Sequence, residues 1–211
     1  MPNWYLKMNE SPRLDLISQV IQRLNQENIS YCVLRNYEFL LENRDPQKEA
    51  EKSVDMVVLQ DDLPKLEAIF FSLGFSKREY KYSRRHHAYF KPLGKAMVSF
   101  DVQVGGVCLG DVVYLPQEDI LGHRVKNSFF YVPSNNDLWI MLTIHSIIGK
   151  GYFKEEYKKI ITFLTPNLDQ QYVITTLETI FTLAVAKDVY RLVSENRFED
   201  LLRRRHQLSG M

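Results

Sequence analysis

Tyr31-Cys32-Val33-Leu34, Ser53-Val54-Asp55-Met56-Val57-Val58-Leu59 and Met97-Val98-Ser99-Phe100-Asp101-Val102-Gln103-Val104 are the segments whose reading decides the fold. All three are apolar and of strand length, and the first is continuous enough for a strand covered on both faces. The second and third each set one carboxylate, Asp55 and Asp101, among valines. A buried charge without a partner costs several kcal/mol or neutralises itself through a pKa shift. Two strands that repeat the device imply a cation shared between them.

Upstream of these strands, Leu14, Ile17, Val20, Ile21 and Leu24 recur at helical spacing, which predicts a helix from about residue 12 to 28. Ser11 is its expected N-cap, and Pro12 stands at the first helical position, where a missing N–H is harmless. After the first strand, Arg35-Asn36 breaks into a helical turn over Tyr37 to Leu41. Residues 42–52 read as a solvated loop. Asp61 and Asp62 offer caps for a helix that carries Leu63, Leu66, Ile69, Phe70 and Leu73, and Gly74 closes it in the left-handed conformation.

From Phe75 to Val104 the period becomes that of strands, with Pro92-Leu93-Gly94-Lys95 as the turn of a hairpin and Gly105-Gly106 as its end. A short helix is expected after Leu115-Pro116, and a strand at Phe129-Phe130-Tyr131-Val132. Ser134 and Asp137 then have the form of a capping box, and the remainder reads as helices to about His206. The expected fold class is therefore α/β (α+β): a mixed-sheet domain over residues 1–132 and a helical domain over 133–211.

Composition narrows the function classes. With 45% hydrophobic and 25% charged residues, the 211-residue chain has ordinary globular content, and its net charge of +1 gives no global reason to expect nucleic acid or an anionic membrane as partner. Cys32 and Cys108 lack metal-ligand spacing and do not form a disulfide framework, which suits the reducing cytoplasm. The first residues lack the apolar core of a signal peptide, and no run approaches the roughly 18 to 20 apolar residues of a membrane span.

The order of strand, turn, acidic strand and a later strand with a further Asp resembles the nucleotidyltransferase superfamily of the DNA polymerase beta type. Residues Tyr31 to Glu38, Val54-Asp55-Met56-Val57-Val58, Leu73-Gly74-Phe75, His86-His87-Ala88-Tyr89-Phe90 and Phe100-Asp101 are similar to a bacterial branch of small, uncharacterised nucleotidyltransferase-like proteins. His145, Lys150, Phe153 and Tyr157 continue that similarity. The resemblance implies a sheet-borne metal site and transfer of a nucleoside monophosphate, AMP from ATP or another NTP, to a hydroxyl of a small molecule or protein. Such chemistry spreads negative charge over phosphate oxygens, and hard divalent cations, magnesium or manganese, neutralise it through carboxylate ligands.

By that pattern Asp55 and Asp101 are the expected metal ligands and catalytic residues, Asp101 also being the general base. The family's other strand acid falls at Ser53, a neutral residue. Arg35 and Asn36 occupy the turn where the superfamily has small residues at a phosphate-binding helix start, and Arg35 has the planar fork for a phosphate. Ser53 keeps a second reading open: a catalytically degenerate module that retains the fold for binding. The stretch from Lys77 to His87 interleaves basic residues with tyrosines and reads first as a solvated hairpin, with triphosphate or RNA binding as the sharper alternative. His87, on one strand face with Tyr89, reads as a structural histidine, with a place bordering the cleft as the alternative, His145 as a core or interlobe hydrogen-bonding residue, and Arg203-Arg204-Arg205 as a helix end that complements the macrodipole.

Overall fold

The computed structural model describes residues 12–35, 37–40, 53–80, 83–94 and 96–204, and the architecture is a mixed-sheet α+β one, as the sequence predicts. Two compact units divide it. One takes the described residues up to Gly106 together with Pro116–Val132, and the other takes Val107–Leu115 with the described residues from Pro133 onward.

In the first unit, α1 (Pro12–Gln26) leads into β1 (Tyr31–Arg35) and a 3-10 turn (Tyr37–Leu40). Then follow β2 (Val54–Val58), α2 (Leu63–Ser72), β3 (Ser76–Glu79), β4 (His86–Leu93) and β5 (Ala96–Val104). These strands form one sheet in the order β1-β2-β5-β4-β3. β2 and β5 run parallel while the other neighbours are antiparallel, because α2 carries the chain back along the sheet before the β4–β5 hairpin returns it. Asn25 Nδ2 donates to the carbonyl of Phe129 at 2.8 Å, tying the end of α1 to the last segment of this unit.

Alternation along each strand sorts the two faces. Val54, Met56 and Val58 of β2 and Val98, Phe100, Val102 and Val104 of β5 turn toward one core with α1 and α2. Its centre is aromatic: Phe70 stacks on Tyr89 with ring centroids 4.4 Å apart and meets Phe75 and Phe100 edge-on at 5.1 and 5.0 Å. Each such fully buried side chain contributes about 1.5–3 kcal/mol through its burial. The opposite face carries Asp55 and Asp101. There the short helix α3 (Gln117–Gly122) packs against β1 and β2. A small hairpin, β8 (Val125–Asn127) with β9 (Phe130–Val132), completes the unit, and Tyr131 meets Tyr31 edge-on at 5.8 Å.

Local signals explain most boundaries. Gly74 ends α2 at φ +79°, and Gly105 follows β5 at φ +81°, where an added Cβ would collide with the Arg85 guanidinium. Asp62 departs from its expected role. It makes no side-chain cap on α2; its Oδ2 accepts instead from the backbone N–H of Ser30 at 2.9 Å, holding the turn before β1. A long-range backbone donor outcompetes the local cap, and Pro64 at the start of α2 leaves one fewer N–H to satisfy. The expected N-cap Ser11 lies outside the described residues, as do residues 42–52 of the loop.

The second unit has the two-stranded β6 (Gly106–Leu109) and β7 (Val112–Pro116), whose ends adjoin the first unit in sequence, and helices α4 (Asn135–Ile144), α5 (Glu155–Leu164), α6 (Gln170–Leu177), α7 (Leu183–Ser194) and α8 (Phe198–Arg203). The capping box is present: Ser134 Oγ accepts from the Asp137 N–H at 3.2 Å and donates to Asp137 Oδ2 at 2.7 Å. Fully buried Asp137 also accepts from the Tyr172 hydroxyl at 2.6 Å, so that carboxylate is structural. After α4 the chain makes a π-turn over His145–Lys150 and stops at Gly151, φ +78°. His145 lies with its ring edge-on to Tyr157, centroids 6.2 Å apart. Arg203 and Arg204 pair with Asp200 and Asp188, while Arg205 lies outside the described residues. No helix among the described residues is long and apolar enough to cross a membrane.

Candidate functional site

Asp55 and Asp101 are direct register partners on the adjacent parallel strands β2 and β5. Partners in a ladder project from the same face, so the two carboxylates emerge side by side on neighbouring strands, which lie about 4.8 Å apart. The partner of Asp101 on the other side is Ala88 of β4, and the partner of Ala88 is Arg78 of β3.

Arg35 joins this row through an irregularity. Val33 pairs with Met56, which in an unbroken antiparallel ladder would bring Leu34 opposite Asp55; the register slips there, and Arg35 is the partner of Asp55. One extra residue in β1 thus moves Arg35 to the carboxylate face, the re-aiming that bulges perform beside functional sites. Arg35 Nε donates to Asp55 Oδ2 at 2.9 Å, with side chains 21% and 17% exposed. Part of the positive charge that these two half-buried acids require is supplied by the chain itself.

The pair is electrostatically loaded. Burial pushes the Asp55 carboxyl above the usual carboxylate range; the charge and hydrogen bond of Arg35 pull it down, while neighbouring Asp101 pushes it further up. Asp101 Oδ1 is buried and accepts no hydrogen bond among the described residues. His86 Nδ1 lies 3.7 Å from that oxygen, an ion-pair distance when the imidazole is protonated and too long for a hydrogen bond. Tyr80 also reaches the site. Burial raises its phenol, as do the charges of Asp101 and Asp55 and a hydrogen bond to Asp101, with Arg78 acting in the opposite sense. The Tyr80 and His86 rings meet edge-on at 5.8 Å.

Of the expected site residues, Arg35, Asp55 and Asp101 are brought together across β1, β2 and β5. Ser53 lies half-buried immediately before β2, and Asn36 lies outside the described residues, as do Glu49 and Glu51, the loop acids nearest in sequence to Ser53. His86 and Tyr80 carry no assigned role from the sequence, yet both touch Asp101; the only local signal is the basic, tyrosine-rich stretch that runs into β4. His87, one residue on, belongs to the other face with Tyr89 and feels Glu67 of α2, the acid that accepts from the Tyr89 hydroxyl at 2.8 Å and pairs with Lys77 at 2.8 Å.

The donor set can be tested against a metal. Among the described residues no group of three or more His, Cys, Asp or Glu side chains is arranged to hold an ion. Two in-register carboxylates, one with a buried oxygen that accepts no hydrogen bond, nonetheless suit a single magnesium, which is commonly bound by one or two carboxylates and completes its shell with water and substrate phosphate. Among the described residues no third acid joins them for a second ion, Ser53 being neutral.

No protein-family model matches the sequence, and no curated protein matches it. Among solved structures, the chain is similar to the solution structure of the antibiotic-resistance factor ANT(2″)-Ia at 12% identity and a TM-score of 0.46, over 92% of this chain and 97% of that one. A crystal structure of ANT(2″)-Ia in complex with adenylyl-2″-tobramycin gives 11% identity and a TM-score of 0.49, over 85% and 99%. JHP933 from Helicobacter pylori gives 6% and 0.43, over 100% and 98%. Likenesses this loose carry no argument about chemistry, and the functional reading stands on the strand register.

Proposed function

We propose that the protein transfers a nucleoside monophosphate, AMP from ATP, to a hydroxyl of an acceptor, in the manner of the nucleotidyltransferase superfamily that its strands resemble. The carrying observation is the Asp55–Asp101 register on adjacent parallel strands, two acids on one face with Arg35 beside them.

In this reading Asp55 and Asp101 would hold one divalent cation, magnesium or manganese, which would supply neutralisation of charge on the phosphate oxygens. Asp101, in register with Asp55, takes the proton of the acceptor hydroxyl. The freed oxygen attacks the α-phosphorus; a new O–P bond forms as the bond to the β-phosphate oxygen breaks, and pyrophosphate carries away the electron pair. Asp101 then returns its proton to water. Arg35 turns its guanidinium from Asp55 toward the phosphates, an exchange of one oxyanion for another that keeps the arginine paired. Transfer of this kind depends on positioning and electrostatic stabilisation more than on covalent help from the protein.

Isothermal titration of the protein with ATP and magnesium tests this. Heat of binding that disappears in Asp55→Asn and Asp101→Asn supports the assignment; absence of heat in the wild type ends it. A second reading, a binding module that has lost catalysis, is favoured by the Arg35–Asp55 bond and by Ser53. It predicts that Ser53→Asp gains metal affinity without gaining turnover.

A further inference from the structure

Past Asp101, on the side away from Arg35, the first unit has a pocket of about 220 Å³ lined by Tyr80, Ser83, Arg84, His86 and His87. Two of these, Tyr80 and His86, are the side chains that touch Asp101. The lining offers the Arg84 guanidinium, the His86 imidazole, a phenol and a hydroxyl, with His87 at its edge on the other face, and none of these lining residues is an acid. Among the described side chains, acids border it at Asp101 on β5, facing Tyr80 and His86, and at Glu67 on α2, facing His87. Arg78 adds a further positive charge near Tyr80.

Position decides which part of the reaction this pocket serves. Across the sheet the order is Arg35, Asp55, Asp101 and then β4 with His86. If Arg35 meets the nucleotide's phosphates and Asp101 takes the acceptor's proton, whatever extends beyond Asp101 toward β4 is the rest of the acceptor. A volume of about 220 Å³ is below the roughly 300–1,000 Å³ of pockets that enclose a whole drug-sized molecule, so it holds one small polar group of its ligand. A donor-rich lining with a fixed cation selects an oxyanion.

We infer that the acceptor is a small hydroxyl compound bearing a phosphate or carboxylate, held by Arg84 and His86 in the pocket beside Asp101. This assignment to an acceptor rests on the nucleotidyl-transfer reading, whereas the anion site itself stands on the pocket alone.

The probes are glycerol 3-phosphate, glycerate and uncharged glycerol, titrated into the full chain with and without magnesium and a non-hydrolysable ATP analogue. Glycerol 3-phosphate or glycerate is expected to bind and glycerol is not; binding of the first alone assigns a phosphate, and of the second alone a carboxylate. Arg84→Gln, at an exposed position and so expected to leave the melting temperature unaltered, is expected to weaken that binding about tenfold or more. Anionic probes that bind no better than glycerol, or equally well to wild type and Arg84→Gln, overturn the inference. Nucleotide and magnesium binding without anion binding removes the pocket alone. Anion binding without nucleotide binding removes the acceptor assignment and leaves the anion site.

Discussion

Replacing Arg35 by methionine separates the two readings of the site, because it removes the chain's own cation while keeping most of the side-chain volume. The Arg35–Asp55 contact is a 2.9 Å charge-assisted hydrogen bond between side chains only about one-fifth exposed. It therefore lies between an exposed pair, worth about 0–1 kcal/mol, and a fully buried pair, whose breaking costs about 3–5 kcal/mol. A loss of about 2 kcal/mol is expected, and for a chain of this length that corresponds to about 4–8 °C in melting temperature. Thermal unfolding in EDTA at pH 7 measures it, scored on the transition that a core change in the same unit also moves.

Magnesium is the second arm of that experiment. In the wild type a divalent cation must displace Arg35 from Asp55, whereas in Arg35→Met it meets two unneutralised carboxylates. Excess magnesium is expected to restore the variant, since a ligand at a hundred times its Kd stabilises by about 2.7 kcal/mol. Its stabilising effect should be larger in the variant than in the wild type. A deficit that magnesium leaves untouched would refute the metal-site reasoning and leave Arg35 as the permanent cation of a binding module.

Three further outcomes follow from the same structure. Asp55 titrates above its unfolded value, so the stability it contributes is complete below the unfolded pKa and is lost as pH rises through the folded pKa. Asp55→Asn should accordingly match the wild type in acid and melt higher than it at neutral pH in EDTA, as differential scanning calorimetry across that pH range would reveal; a variant less stable at pH 7 than at pH 3, relative to wild type, contradicts the sign. Ser53→Asp should tighten magnesium binding about tenfold or more by adding an acid one pleat from Asp55, and an unchanged titration curve would place residue 53 off the carboxylate face. Phe70→Ala, which removes the ring stacked on Tyr89 and edged by Phe75 and Phe100, should cost about 3–5 kcal/mol in denaturant unfolding.

Much of the frame was legible in the chain because its causes are local. The Asp55 and Asp101 strands, the glycine stop at Gly74 and the Ser134–Asp137 cap depend on residues within a few positions of one another. Asp62 was misread for the opposite reason: its partner, Ser30 N–H, is brought to it by tertiary packing. His86 and Tyr80 escaped notice as neighbours of Asp101 because nothing in their spacing announces which strand they will lie beside.

Alternation along β2 and β5 is written in the sequence, so the sequence by itself determined that each acid stands out from a valine-rich strand whose remaining side chains enter the core. Which residues meet across the sheet was decided only by the tertiary structure: the parallel register that pairs Asp55 with Asp101 and the slip in β1 that turns Arg35 onto their face. The physical reason is range. A side chain's face follows from the period of its own strand, whereas its partners follow from how α2 and the β4–β5 hairpin return the chain, which every packed residue of the unit fixes together.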